Sequence, residues 1–314
     1  MNGPRRMAVL LTVAMILSGC RGSAPRSESS LGPGERGGAF PVTIRPANGS
    51  VEIARRPRHI VSLSATSTEI LFAIGAGRQV VAVDETSNYP PQAPVTDLSG
   101  FDPNVEALIA YDPDLVVMAE DPGDVVASLD RLDVPAVVHP AAVTFNDVFE
   151  QIEQLGRATG HDDEAEGLVG SMRSRIQGIA GSVPSAAQGL TYYHELDDTF
   201  FTVTSDTFIG RVYATFGLQN IADRAKGAGS GYPQLSAEYI LDADPDLIFL
   251  SDTKCCGISP KSVSKRPGWD SIAAVRTGGV VPLDDDVASR WGPRVVDFLE
   301  TVAAAVNARV EEAA

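Results

Sequence analysis

From Val42 onward, apolar positions fall into short unbroken runs separated by turn residues, with little strict alternation. Runs of this kind predict strands covered on both faces, as in parallel sheets. They predict strands at 59–64, 80–84, 115–119 and 136–139, then at 190–195, 247–251 and 280–283. Helical spacing fills the gaps. A segment at 67–75 ends on Gly75, and one at 104–110 follows Asp102-Pro103. A third spans 205–216, with Ser205 or Asp206 as its N-cap.

Residues 144–180 carry no strand signal. Val148, Ile152 and Leu155 mark one helical face, a break follows at 160–163, and Leu168, Met172 and Ile176 mark a second helix over 164–179. A helix of ~20 residues is ~30 Å long, enough to bridge two lobes. An internal echo supports two lobes: Glu106 through Asp112-Pro113-Asp114-Leu115 recurs 132 residues later as Glu238 through Asp244-Pro245-Asp246-Leu247. The fold expected is α/β, two Rossmann-like lobes with mostly parallel sheets joined by a long rigid connector helix.

The N-terminus sets the compartment. Arg5 and Arg6 precede an eleven-residue apolar run, 7–17, too short for the ~20 residues a bilayer span needs. It fits a secretory signal ending in the lipobox Leu17-Ser18-Gly19-Cys20, which makes Cys20 the lipidation site. The Gly-, Ser- and Pro-rich stretch behind it reads as a flexible tether. The expected domains are a signal peptide (1–19), lipidated Cys20 and tether (20–40), an N-terminal lobe (41–143), a helical connector (144–186) and a C-terminal lobe (187–314). The folded part would then sit outside the cytoplasmic membrane, held only by its anchor.

Composition narrows the function. Lys+Arg is 25 against Asp+Glu 41, a formal net charge of -16, which disfavours nucleic acid as a partner. Removing the signal peptide deletes two arginines and no acid, taking the charge to -18. His59, His139, His161 and His194 are scattered and no HExxH occurs, so no zinc site is expected. There is no GxSxG, no GxxxxGK[ST], and no GxGxxG opening a helix after a strand, so an enzyme is not expected. Acidic loops such as Asp284-Asp285-Asp286 read as solvated turns or caps.

Several motifs together carry a family resemblance. In the first lobe they are Ile60-Val-Ser-Leu-Ser-Ala-Thr-Ser-Thr-Glu-Ile-Leu-Phe-Ala-Ile-Gly-Ala-Gly77, Asn88-Tyr-Pro-Pro-Gln-Ala93 and Gly100-Phe-Asp-Pro-Asn-Val-Glu106. In the second they are Tyr232-Pro-Gln-Leu-Ser-Ala-Glu238 and Arg290-Trp-Gly-Pro-Arg294. Over residues 51–308 the chain resembles the solute-binding lipoproteins of bacterial ABC importers, in the cobalamin and iron-siderophore class whose lobes are joined by a rigid helix. The resemblance implies a monomeric receptor serving a permease dimer with its ATPase subunits. It places Glu106 and Glu238 as the carboxylates that dock onto permease arginines. It places Tyr89, Phe101, Phe201 and Tyr232 on or near the cleft wall, where aromatics would lie against a flat metal chelate. Arg290 and Trp291 follow a strand end, where Arg290 meets either an anionic ligand group or a cleft aspartate.

The expected ligand is cobalamin or another corrinoid ahead of a ferric siderophore, since an acidic chain with few cleft basics suits an amide-rich corrinoid. Haem is an alternative, weakened because Phe101 cannot ligate iron. A surface sensor of the same fold, working without a permease, is another. No cofactor is expected. His194, at a strand end, reads as a structural residue before a metal ligand. Cys255-Cys256 departs from the family pattern. A vicinal disulfide, two free thiols and a soft-metal contact are all open to this pair.

Overall fold

A computed structural model describes residues 40–313. The signal segment, Cys20 and the tether lie outside the described residues. A small antiparallel hairpin, β1 (Val42–Ile44) and β2 (Val51–Ile53), opens the fold. The first lobe then runs β3 (Ile60–Leu63), α1 (Ala65–Ala73), β4 (Val80–Val83), α2 (Val105–Ile109), β5 (Leu115–Met118), α3 (Val125–Asp130) and β6 (Ala136–Val138). Its four main strands are all parallel, in the order β4-β3-β5-β6. β3 and β5 are buried at every position, which is why their sequences show unbroken apolar runs.

Two long helices follow. α4 (Phe145–Thr159) is opened by a capping box in which Thr144 and Asp147 satisfy each other's backbone N–H, and closed by left-handed Gly160. It buries Val148, Ile152 and Leu155 against the first lobe. α5 (Asp162–Gly181), with 20 residues and so ~30 Å long, makes the crossing. The helices meet tightly at Gly156, where a Cβ would stand 2.4 Å from the Ala165 methyl, so only glycine fits.

The second lobe runs β7 (Thr191–Glu195), α6 (Phe208–Ala214), β8 (Gln219–Asn220), α7 (Ala237–Ala243), β9 (Leu247–Leu250), α8 (Thr253–Cys256), α9 (Pro260–Val263), α10 (Ala273–Arg276), β10 (Val280–Pro282) and α11 (Asp285–Ala288). The last helix, α12 (Val295–Ala313), packs along α5 and against α6. The parallel sheet order β10-β9-β7-β8 repeats the first lobe's connectivity, with the second, first, third and fourth strands side by side. One apolar cluster runs from Ile70 and Ile152 through Met172 to Tyr192, Phe298 and Val302, so the two lobes share a continuous core. Arg175 of α5 adds ion pairs to Asp297 and Glu300 of α12.

The echo at 132 residues has a structural cause. Asp112 and Asp244 both take left-handed backbone, φ 50° and 43°; Asp244 caps α7, and Asp112 stands in the turn that follows α2 and its cap Ala110. Asp114 then accepts the backbone N–H groups of Arg58 and His59 at 2.9–3.0 Å. Asp246 accepts the backbone N–H of Thr191 at 2.9 Å and its hydroxyl at 3.0 Å. Each second aspartate therefore clasps the residues that start its lobe's first strand. The pairings Ile60–Leu115 and Tyr192–Leu247 carry the same offset into the sheets.

The structure corrects several details. α6 is capped by Thr207, whose hydroxyl oxygen accepts the Gly210 N–H, and not by Ser205 or Asp206. Ser205 is unavailable because its N–H and hydroxyl both bond the Asp223 carboxylate at 2.8 Å. α1 begins two residues before the expected start, capped by Ser64. The hairpin β1–β2 and the two-residue β8 were not anticipated. Among the described residues, no helix is long and apolar enough to cross a membrane.

Candidate functional site

The carboxyl ends of β3, β4 and β5 converge on a cleft of about 380 Å³ at the boundary of the lobes. Ser64, Thr66, Asp84, Thr86, Gly100, Phe101 and Glu120 line it from the first lobe. Asp286, Ser289, Arg290 and Trp291 close it from the second. Asp84 is buried and oriented by the hydroxyls of Thr86, at 2.6 Å, and Ser87. The loop bearing Phe101 approaches it closely, for a Cβ on Gly100 would stand 2.9 Å from Asp84 Oδ2. A side chain there would push the Phe101 loop off the strand end.

Phe101 is 78% exposed and Tyr232 51% exposed, high values for large rings. They are counterparts. Phe101 N–H donates to Ser99 Oγ at 3.3 Å, and Tyr232 N–H donates to Ser230 Oγ at 3.2 Å, an offset of 131 residues. Each lies just ahead of the helix bearing its lobe's glutamate. Glu106 and Glu238 occupy the first turns of α2 and α7, behind the caps Asn104 and Ser236, and both are exposed. Phe201 lies beside the Tyr232 segment through a bridge to Gln234 and is half-exposed. Tyr89 is placed elsewhere. It lines a separate groove with Phe72, Leu168 and Met172, under the Arg294 guanidinium at 4.1 Å.

Arg290 reaches the cleft, but three of its five N–H donors are engaged within the protein. It donates to Glu69 Oε1 at 2.8 Å, the Thr86 carbonyl at 3.0 Å and Asp286 Oδ1 at 2.9 Å. Of the two partners the sequence left open, it takes the aspartate. Glu69, from α1 and itself buried, also receives Arg294. Asn88 Nδ2 donates to Asp286 Oδ2 at 3.2 Å, and Trp291 Nε1 donates to Gln151 Oε1 at 3.2 Å. These bonds latch the second lobe to the first. Burial works to raise the Asp286 pKa, but Lys254, Arg290 and Asn88 hold it below the ordinary carboxylate value.

Sequence reasoning missed Glu69. Its signal was an acid inside the apolar segment Glu69-Ile-Leu-Phe-Ala-Ile74, which needs a buried cation as partner. It also missed a buried cluster at the carboxyl ends of β7 and β9. There Glu195 takes both terminal nitrogens of Arg266 at 2.6 Å, while neither Asp252 oxygen has a hydrogen-bond partner. Burial first, and the Glu195 carboxylate second, push the Asp252 pKa from 3.8 up to about 7. Between those values the folded chain holds a proton that the unfolded chain has lost. The contribution of Asp252 to stability therefore falls as pH rises through that window, by up to ~1.4 kcal/mol per pH unit, and is flat above it. Asp252→Asn is expected to be more stable than the parent at pH 8, with the gain shrinking toward pH 4. Urea unfolding at both pH values tests this; an identical difference at each would show that folding does not shift the Asp252 carboxyl.

His194 does not reach the cleft. It is buried, its Nδ1 lies 2.7 Å from the Tyr213 hydroxyl, and burial lowers its pKa to about 3. Among the described residues no cluster of His, Cys, Asp and Glu is arranged to hold a metal. The Cys255 and Cys256 sulfurs are in contact on the exposed α8, the vicinal-disulfide arrangement among the three left open by the sequence.

Two parallel α/β lobes on a shared helical frame, closing on one cleft, define a solute-binding protein. The chain belongs to the periplasmic binding protein family, which it matches over residues 60–287. It is 31% identical over 309 residues to the ABC transporter substrate-binding lipoprotein YvrC of Bacillus subtilis, covering 95% of each chain. It is 30% identical to the cobalamin-binding protein of Halobacterium salinarum, covering 95% of this chain and 83% of that one. The solved structure of the periplasmic vitamin B12 binding protein BtuF of Vibrio cholerae superposes with a TM-score of 0.67 at 26% identity, over 81% of this chain and 98% of that one. The protein is therefore an extracytoplasmic substrate-binding component of an ABC transporter, with a permease and a small-molecule ligand as partners, and not an enzyme.

Proposed function

We propose that this protein captures a corrinoid, cobalamin in the first instance, between its lobes and delivers it to the permease. The observation that carries the ligand choice is exposed Phe101 on the wall of an acid-lined cleft, with exposed Tyr232, outside that lining, at the equivalent position of the second lobe. Two flat apolar surfaces suit a macrocycle. Glu120 suits an amide N–H donor, and the acids Asp84, Glu120 and Asp286 together disfavour the carboxylates or catecholates of anionic chelates. The one cation lining the cleft, Arg290, is already engaged. Relatives at 30% and 26% identity that carry cobalamin- and vitamin B12-binding names support the same reading. In it, Trp291 and Phe201 border the ligand, and Tyr89 stays in its separate groove with Phe72, Leu168 and Met172. Glu106 and Glu238 dock on the permease, and Cys20 carries the lipid.

Calorimetric titration of the full chain with cyanocobalamin is the test. Saturable one-to-one binding is expected, weakened about tenfold by Phe101→Ala and again by Tyr232→Ala. No heat, and no displacement of a fluorescent corrinoid, would overturn the corrinoid reading and move ferric siderophores to the front.

A further inference from the structure

A chain of bonds connects the Cys255-Cys256 pair to the contacts between the lobes. The backbone N–H groups of Thr253, Lys254 and Cys255 all donate to the Asp285 carboxylate, at 2.8–3.0 Å. Lys254 Nζ, beside the pair, bonds Asp284 Oδ1 at 2.6 Å and Asp286 Oδ2 at 2.8 Å. Asp286 in turn holds Arg290 of its own lobe and Asn88 of the other, and Arg290 holds Glu69 and the Thr86 carbonyl. The backbone geometry of α8 therefore sets where Lys254 and Asp285 stand, and they set where Asp286 stands. Both cysteines are exposed, so a thiol reagent can reach them without unfolding the lobe.

We propose that Cys255-Cys256 is a thiol–disulfide exchange site whose redox state sets the strength of the inter-lobe latch. The substrate is an external dithiol. One of its thiolates attacks a sulfur of the pair, forming a mixed disulfide and expelling the other cysteine as a thiolate. Its second thiolate resolves the mixed disulfide. Two electrons and two protons pass to Cys255 and Cys256, and the dithiol leaves as a disulfide. With the link broken, the 255–256 backbone is free to leave the α8 geometry that Asp285 caps, and Lys254 then withdraws from Asp286. The latch at Asn88, Arg290 and Glu69 then loosens. This inference does not depend on which ligand the cleft takes.

The test is amide hydrogen exchange of the full chain, oxidised and after dithiothreitol, beside a Cys255→Ser/Cys256→Ser double variant. Reduction is expected to speed exchange at 253–255 and also at 84–90 and 284–294, by about tenfold, the change that loss of one charge-assisted hydrogen bond produces. The double variant should exchange like the reduced parent and ignore dithiothreitol. Faster exchange confined to 253–258, or no response of the parent at all, would overturn the proposal. So would a double variant that exchanges like the oxidised parent.

Discussion

Glu69→Gln is expected to destabilise the folded chain by about 3 kcal/mol, lowering the thermal midpoint by roughly 10 °C. The change keeps the shape of the side chain and removes only its charge. Arg290 and Arg294 are then left facing each other in a site where Glu69 is 2% exposed and the arginines 10% and 17%. The loss is not the net worth of the ion pair, which desolvation offsets, but the cost of leaving half-buried Arg294 with no carboxylate and Arg290 with Asp286 alone. Arg294→Gln should cost less, because Arg290 still pairs with Glu69. Thermal and urea unfolding give both values. A fall below ~1 kcal/mol for Glu69→Gln would mean that water screens the cluster and the latch is weak. The same variant should leave the secondary structure intact, since the shared apolar core through α4, α5 and α12 does not pass through these residues.

Charge reversal at both Glu106 and Glu238 is expected to abolish transport while leaving ligand affinity unchanged. Both carboxylates are exposed, stand in helix first turns, and form no ion pair among the described residues. The two Arg substitutions would oppose permease arginines and lose the bidentate contact a carboxylate offers. Folding should change little, since the side chains touch no core. Uptake by cells carrying only the double variant, set beside calorimetry of the same protein, separates delivery from capture. Uptake at the parental rate would reject the docking assignment and favour a sensor that needs no permease.

The sheets were legible because strands buried on both faces leave continuous apolar runs, as at Leu115–Met118 and Leu247–Leu250. The hairpin β1–β2 was not, because three-residue strands beside Pro46 and Gly49 carry too little pattern. Phe101, Tyr232, Glu106 and Glu238 could be singled out from motif and repeat. A cleft aspartate could be offered to Arg290, but its pairing with Glu69 could not: the two lie 221 residues apart, and nothing local announces it. Asp252 and Glu195 each end an apolar run, where a polar residue is unremarkable. Their coupling becomes visible only once β7 and β9 are known to be neighbours.

These separations also order the assembly of the molecule. The aspartate clasps close spans of 56 residues in the first lobe and 55 in the second, whereas the latch bonds from Glu69 close spans of 221 and 225. A fourfold longer span costs about 1.2 kcal/mol more in closure entropy, and it gains nothing until both lobes exist. Each lobe can thus condense around its own clasp, with the contacts between them forming late. The width of the cleft, and with it the competence to hold a ligand, is the last property this chain acquires as it folds.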